Sequence, residues 1–313
     1  CIGRRPFIMI NIEGLTKTFD GYNAVDGVTC SIQDGCIYGM VGSNGSGKST
    51  FLRLIAGIYK PDKGNVYIDG IPVYEHPEVK NKLAFVPDDL YFVNNSSMKR
   101  MAGFYNCVYS NFDMDRFCSL SEMFKLDINK SVSTFSKGMK RQAAIILAVS
   151  SHPQYLLLDE TFDGLDPVMR NLVKNMVCQD VEDNNMTVIM TSHSLRELED
   201  TCDQLALLHK GGLVLESDIL DLKTSLFKIQ IAFVEKYDRS MFDGFDILHF
   251  SKHGSVSNII MRGDKEAVAE HLKAMKPAIL DILPLTLEEV FTYEMETLGY
   301  VFNPEIFEKE DRA

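Results

Sequence analysis

The sequence predicts an α/β fold: a helix-covered parallel sheet, an antiparallel β region near the N-terminus, a helical segment at about 88–150 and a small α/β tail. Three observations carry this. YLLLDE and TVIMTSH, starting at Tyr155 and Thr187, are continuous apolar runs, the pattern of parallel strands buried on both faces. Helical periodicity lies between such runs, as in FLRLIAGI after Lys48. From about Ser217 the texture changes to short strand-like runs around one helical stretch.

Taken in order, residues 9–40 alternate apolar and polar in MINIEGL, VTCSI and CIYGMV, bounded by Gly21, Gly27 and Gly35, which reads as strands. Met9 is read as the natural start, with an extension before it. NVYIDG, after the FLRLIAGI helix, returns to strand. Over 97–125 the chain reads as helical, with Met101, Phe104, Tyr105 and Val108 sharing one face and Phe117, Leu120, Met123 and Phe124 another. Asp166 followed by Pro167 marks a helix start, and Ser194 with Glu197 reads as a capping box. In the tail FKIQIAFV, FDILHF and VSNIIM read as strands and DKEAVAEHLKAM as a helix, with Thr286 and Glu289 capping a last helix, LEEVFTYEMETL. The expected division is a domain at 9–216 and an accessory domain at 217–313.

Composition narrows the function classes. The chain of 313 residues is 45% hydrophobic and 24% charged, ordinary for a globular protein, so disorder is not expected. A net charge of −12 argues against a nucleic-acid clamp, which needs a basic face; no nucleic-acid partner is expected. No apolar run approaches the roughly 20 residues that span a bilayer, so a membrane role is expected to be peripheral. Seven scattered cysteines without a CxxC pair suit reduced thiols in a cytosol better than a disulfide framework or a zinc site.

The chemistry begins at GSNGSGKST: Gly42, Ser43, Asn44, Gly45, Ser46, Gly47, Lys48, Ser49 and Thr50. It fits G-x-x-x-x-G-K-[ST] and sits between a strand and a helix, where that motif cradles phosphates. Glycines let backbone N–H groups turn toward phosphate oxygens, and the following helix aims its positive end at the anion. A nucleoside triphosphate is the expected ligand with Mg²⁺ as its metal, Lys48 reaching the β- and γ-phosphates and Ser49 offering a hydroxyl to the ion. A plain Gly-Ser turn is the bland alternative, and the strand-loop-helix context weighs against it. Kinases, GTPases and helicases share such loops, so this motif alone leaves the class open.

In YLLLDE the apolar strand ends in Asp159 and Glu160, which brings two carboxylates beside the phosphate loop. Asp159 suits a metal and Glu160 suits polarisation of an attacking water. An isolated acidic strand end would read as a solvated one; downstream of a phosphate loop it reads as catalytic.

FSKGMKRQ, Phe135 to Gln142, places Ser136 23 residues before Asp159 and resembles the signature motif of ATP-binding-cassette (ABC) ATPases, usually LSGGQ. Alone it would be only a helix N-cap. The resemblance covers residues 9 to about 216 and implies a RecA-like P-loop NTPase core. It further implies that Ser136, Lys137, Gly138 and Met139 act on the nucleotide of a partner subunit, that Asp166 in GLDP is the D-loop aspartate, and that His193 is the switch histidine. Phe19, 23 residues before Gly42, stands where the family stacks an aromatic on adenine; Tyr22 is the next candidate, and a strand-core Phe the bland one. The resemblance implies a head-to-tail pair of cassettes, identical or related, at the cytoplasmic face of a membrane, driving a separate integral-membrane permease.

Three departures stand out. Asp88 in FVPDDLYF occupies the usual Q-loop glutamine position, where it is expected to contact the metal or, alternatively, to cap the turn after Pro87. Lys137 replaces the first signature glycine, and Thr161 a usual proline. SKGM, the acidic Q-loop residue and LTLEEVF in the tail resemble the exporter branch. Competing readings are a soluble ABC ATPase unconnected with transport and a catalytically silent cassette that only binds nucleotide. Intact Glu160 and His193 argue against the second.

Overall fold

The computed structural model describes residues 9–297, and the chain divides between Glu216 and Ser217 into two compact units. The first opens with two long antiparallel strands, β1 (Met9–Phe19) and β2 (Tyr22–Gln33), whose register shifts at bulges. After β3 (Ile37–Val41) and α1 (Lys48–Ile55), the chain adds β4 (Lys63–Ile68) and the short β5 (Ile71–Pro72) to them, giving the order β2-β1-β4-β5. The single turn α2 (Pro77–Lys80) leads to β6 (Leu83–Val86).

Three helices follow: α3 (Met98–Val108), α4 (Met114–Met123) and α5 (Lys137–Val149). Alternation then resumes with β7 (Tyr155–Asp159), α6 (Pro167–Asn184), β8 (Thr187–Ser192), α7 (Leu195–Glu199), β9 (Gln204–His209) and β10 (Gly212–Asp218). The second sheet runs β10-β9-β3-β8-β7-β6, and every pairing from β9 to β6 is parallel. All residues of β3, β7 and β8 are buried, as their unbroken apolar runs predict.

Register positions the site. Met40 and Asp159 both lie opposite Thr191, while Val41 lies opposite Ser192. The C-terminal ends of β3, β8 and β7 therefore finish level, and β6 ends two residues before Asp88. Ligands of open parallel sheets bind at that edge. Beneath it α1 joins the two sheets: Phe51, Leu52 and Ile55 share one core with Ile12 and Val28 of the antiparallel sheet and Leu157 and Ile189 of the parallel one.

The second unit holds α8 (Ile219–Ser225), β11 (Leu226–Ala232), β12 (Asp246–His253), β13 (Val256–Arg262), α9 (Lys265–Ala274), β14 (Ile279–Pro284) and α10 (Leu287–Thr297). Its antiparallel order is β12-β13-β11-β14, and the β11-to-β12 connection carries a 3-10 turn. Phe227, Ile229, Ile259 and Met261 face Leu272 of α9 in a separate core. The opposite face meets α10, where Arg262 pairs with Glu294 and the rings of His249 and Tyr293 lie 5.8 Å apart.

Two local expectations are corrected and one unread strand is added. Ser194 does not cap α7 through its side chain; Ser192 Oγ accepts from the Ser194 N–H and donates to Glu197 Oε2 at 2.7 Å, so the cap lies two residues earlier. On the helical stretch, Phe104 and Val108 are exposed, since Met98, Met101 and Ala102 form the buried side of α3, and Met123 is exposed on α4, which buries Phe117 and Leu120. β14 was not read from sequence because it is an edge strand with mostly exposed positions and a terminal proline. Asp166 and the Thr286–Glu289 pair cap their helices as expected, the latter by reciprocal bonds.

Truncating Leu157, fully buried at the centre of this core, is expected to cost about 2–5 kcal/mol of stability in Leu157→Ala. Urea unfolding followed by far-UV circular dichroism measures it; an unchanged midpoint would contradict the shared core.

Candidate active site

The loop Gly42–Gly47 leaves β3 and feeds α1, and its geometry depends on glycine at two places. Gly47 has φ 107°, and a Cβ there would meet the Ala24 carbonyl oxygen at 2.1 Å. A Cβ at Gly42 would meet the Leu208 carbonyl oxygen at 2.4 Å. Within the loop the buried Lys48 ammonium donates to the carbonyls of Gly42 (2.7 Å) and Ser43 (3.3 Å) and lies 3.5 Å from Glu160 Oε1. Two loop carbonyls and one carboxylate thus surround the ammonium.

Opposite the loop, Asp159 is completely buried. Its Oδ1 accepts from Ser49 Oγ at 3.0 Å and from Thr191 Oγ1 at 2.8 Å. Its Oδ2 is shielded from solvent and has no hydrogen-bond partner among the described residues. Thr191 Oγ1 also accepts from the Glu160 N–H at 3.0 Å, so one hydroxyl fixes both acidic residues. Glu160 has φ 46°, the left-handed region that a side chain enters only at a cost of about 1–3 kcal/mol. That turn swings its carboxylate off the strand direction and toward Lys48.

His193 follows β8, with Nδ1 3.7 Å from Asp163 Oδ2. Ligand atoms of Glu160, Asp163 and His193 lie within 4.8 Å of one another. Burial is the main influence holding the Asp163 carboxyl above its ordinary range, and the neighbouring histidine works against it.

A cavity of about 500 Å³ opens here, lined by Ala24, Asn44, Gly45, Ser46, Gly47, Lys48, Ser49, Thr50, Asp88 and Glu160. The structure brings Ser49 to Asp159 by a direct bond. Asp88 shares the cavity wall, yet its Oδ1 accepts from Arg141 Nη2 at 2.8 Å. No backbone N–H among the described residues is bonded to the Asp88 carboxylate, as turn-capping would need.

Ser136 Oγ accepts from the Met139 N–H at 3.2 Å and caps α5. A Cβ on Gly138 would lie 2.8 Å from the Gly164 carbonyl, and the Lys137 stem runs about 3.8–4.0 Å from where Gly164 would carry one. Residues 136–139 thus touch the loop leading to Asp166, whose carboxylate caps α6. Phe19 does not line the phosphate cavity; 40% exposed, it packs edge-on against Tyr59 at the end of β1, and Tyr22 is more exposed still. Thr191, Asp163 and Arg141 were not singled out from sequence. Arg141 carried no signal of burial, since it stands between Lys140 and Gln142 in the polar first turns of α5, just before the apolar run that starts at Ala143.

A family model described as ABC transporter matches residues 25–163. The ABC transporter ATP-binding protein YtrB of Bacillus subtilis (strain 168) is 30% identical over 283 residues, 90% of this chain and 97% of its own. The daunorubicin/doxorubicin resistance ATP-binding protein DrrA of Streptomyces peucetius is 31% identical over 231 residues, 71% of this chain and 69% of its own. Among solved structures, a dimeric post-hydrolysis ATP-binding cassette with ADP and Pi superposes with a TM-score of 0.62 at 21% identity, covering 67% of this chain and 98% of that one. The chain belongs to the family of ABC transporter ATP-binding proteins. It is the ATP-binding, ATP-hydrolysing subunit of such a transporter.

Gly47→Ala is expected to distort the loop and weaken ATP binding about tenfold or more, because the new Cβ meets backbone that cannot rotate away. The MgATP-induced rise in melting temperature reports this. A rise equal to that of the native chain would contradict it.

Proposed function

We propose that ATP is hydrolysed in the cavity between Gly42–Thr50 and Glu160 by a pair of like subunits on the cytoplasmic face of a membrane, energising a separate permease in the direction of export. The observation that carries this reading is the Ser49–Asp159–Thr191 cluster: a buried carboxylate with one oxygen fixed and the other unpartnered, beside a caged lysine. A buried unpaired carboxylate oxygen is costly unless a cation completes it, so these residues fit Mg²⁺. Ser49 and Asp159 would hold the metal, which when bound would neutralise charge on the phosphates.

Lys48 exchanges its loop carbonyls for phosphate oxygens, and Glu160, released from the ammonium, orients the attacking water and accepts its proton. His193, steadied by Asp163, donates toward the γ-phosphate. Phe19 offers an exposed ring for the adenine face. Ser136, Lys137, Gly138 and Met139, together with Asp166, act on the partner subunit's nucleotide from the N-terminus of α5. The structurally similar cassette is dimeric, which supports a paired arrangement.

Export is supported by DrrA, whose name is that of a drug-resistance protein. Contact with a permease is supported by exposed apolar side chains, Tyr91 before α3 and Phe104 and Val108 on it, which such a contact would cover. No helix among the described residues is long and apolar enough to cross a membrane, so the translocation path is assigned to the other polypeptide.

Glu160→Gln is expected to keep ATP binding while turnover falls about 10²–10⁴-fold, and to accumulate as an ATP-bound dimer. Phosphate release and size-exclusion mass with ATP test both at once; near-native turnover would remove Glu160 from its role. Ser136→Arg is expected to leave the monomer's ATP affinity intact while hydrolysis and dimerisation fail together. Parallel loss of affinity and turnover without a dimer defect would show that the site is not shared.

A further inference from the structure

Arg141 is the largest fully buried side chain in the molecule's described part, and its burial is electrostatically unusual. A buried guanidinium needs a paired carboxylate and satisfied N–H groups. Arg141 has the first only in part: Nη2 donates to Asp88 Oδ1 at 2.8 Å, while Nε and Nη1 are shielded from solvent without a partner. Asp88 is not buried with it; half of its side chain is exposed on the wall that also carries Lys48, Ser49 and Glu160. Arg141 and Asp88 also act with opposite sign on Asp163, whose Oδ2 lies 3.7 Å from His193 Nδ1 and whose ligand atom lies near that of Glu160, so the pair is felt beside the cavity.

We propose that Arg141 is a positioning residue for ATP binding: from behind the cavity wall it neutralises and orients Asp88, so that the anionic nucleotide meets one half of an ion pair rather than a free carboxylate. The inference rests on the reading that this cavity holds the phosphates. A lone carboxylate on the wall would repel a triphosphate in a site of reduced dielectric. The bond also ties the wall to α5, whose first residues follow Ser136. A neutral side chain at either position removes one element of this arrangement, and removing both removes the need for it.

The test is a double-mutant cycle read as ATP affinity in EDTA and in excess Mg²⁺, using a fluorescent nucleotide and competition by ATP. Arg141→Met is expected to weaken binding in EDTA about 10- to 100-fold and less in Mg²⁺, because the metal offsets the exposed charge. Adding Asp88→Asn to Arg141→Met is expected to restore EDTA affinity to within about threefold of the native value, and Arg141→Lys is expected to retain most of it. Equal losses in the single and double variants, or losses independent of Mg²⁺, would show that Arg141 only fills space and would overturn the proposal. Should Arg141→Met not fold, Arg141→Gln with and without Asp88→Asn gives the same comparison. Lys48→Ala runs alongside: unchanged affinity there would defeat the assignment of the cavity itself, whereas a Lys48→Ala loss with a flat Arg141 cycle defeats this inference alone.

Discussion

The site depends on one buried carboxylate. Asp159 sits at the end of a strand flanked on both sides by parallel neighbours, and its Oδ1 collects hydroxyls from α1 and β8. Those two bonds join the phosphate loop, the acidic strand end and the strand leading to His193. A charge held without solvent requires partners in fixed places, and the surrounding register supplies them: Thr191 lies directly opposite Asp159. The other acidic residue is aligned by the same threonine through its backbone N–H. Fixing Asp159 therefore fixes the start of α1 through Ser49, the end of β8 through Thr191 and, by the same threonine, the backbone of Glu160.

The parts most readable in the sequence were those with short-range causes. The loop glycines, the strand ending in Asp159 and Glu160, the Asp166–Pro167 helix start and the Ser136 cap each follow from neighbours a few residues away. What stayed hidden has long-range causes. The Asp88–Arg141 bond spans residues 53 apart and depends on α5 lying beside the end of β6, which no local pattern announces. Thr191 reads as one more residue of an apolar strand until the parallel register sets it opposite Asp159. The cap at Ser192 in place of Ser194 turned on which of two serines reaches Glu197, and only the turn geometry decides that. Exposure of Phe104 and Val108 was likewise invisible, since helical periodicity cannot say whether a second apolar face is covered.

The second unit obeys a different logic. Its core is separate from that of the first, and the face away from α9 keeps charged and aromatic residues such as Arg262 and His249 engaged with α10. A small sheet with helices on both sides can hold its own structure, which distinguishes it from a disordered tail.

Close approach between two loops has a mechanical consequence. Gly138 comes so near the Gly164 carbonyl that no side chain fits between them, and Lys137 lies along the same surface. The start of α5 and the turn before α6 are therefore seated like a bearing, backbone on backbone with no compressible spacer. Two surfaces in that relation have no slack in compression: the α5 terminus cannot advance on the Asp166 turn without pushing it.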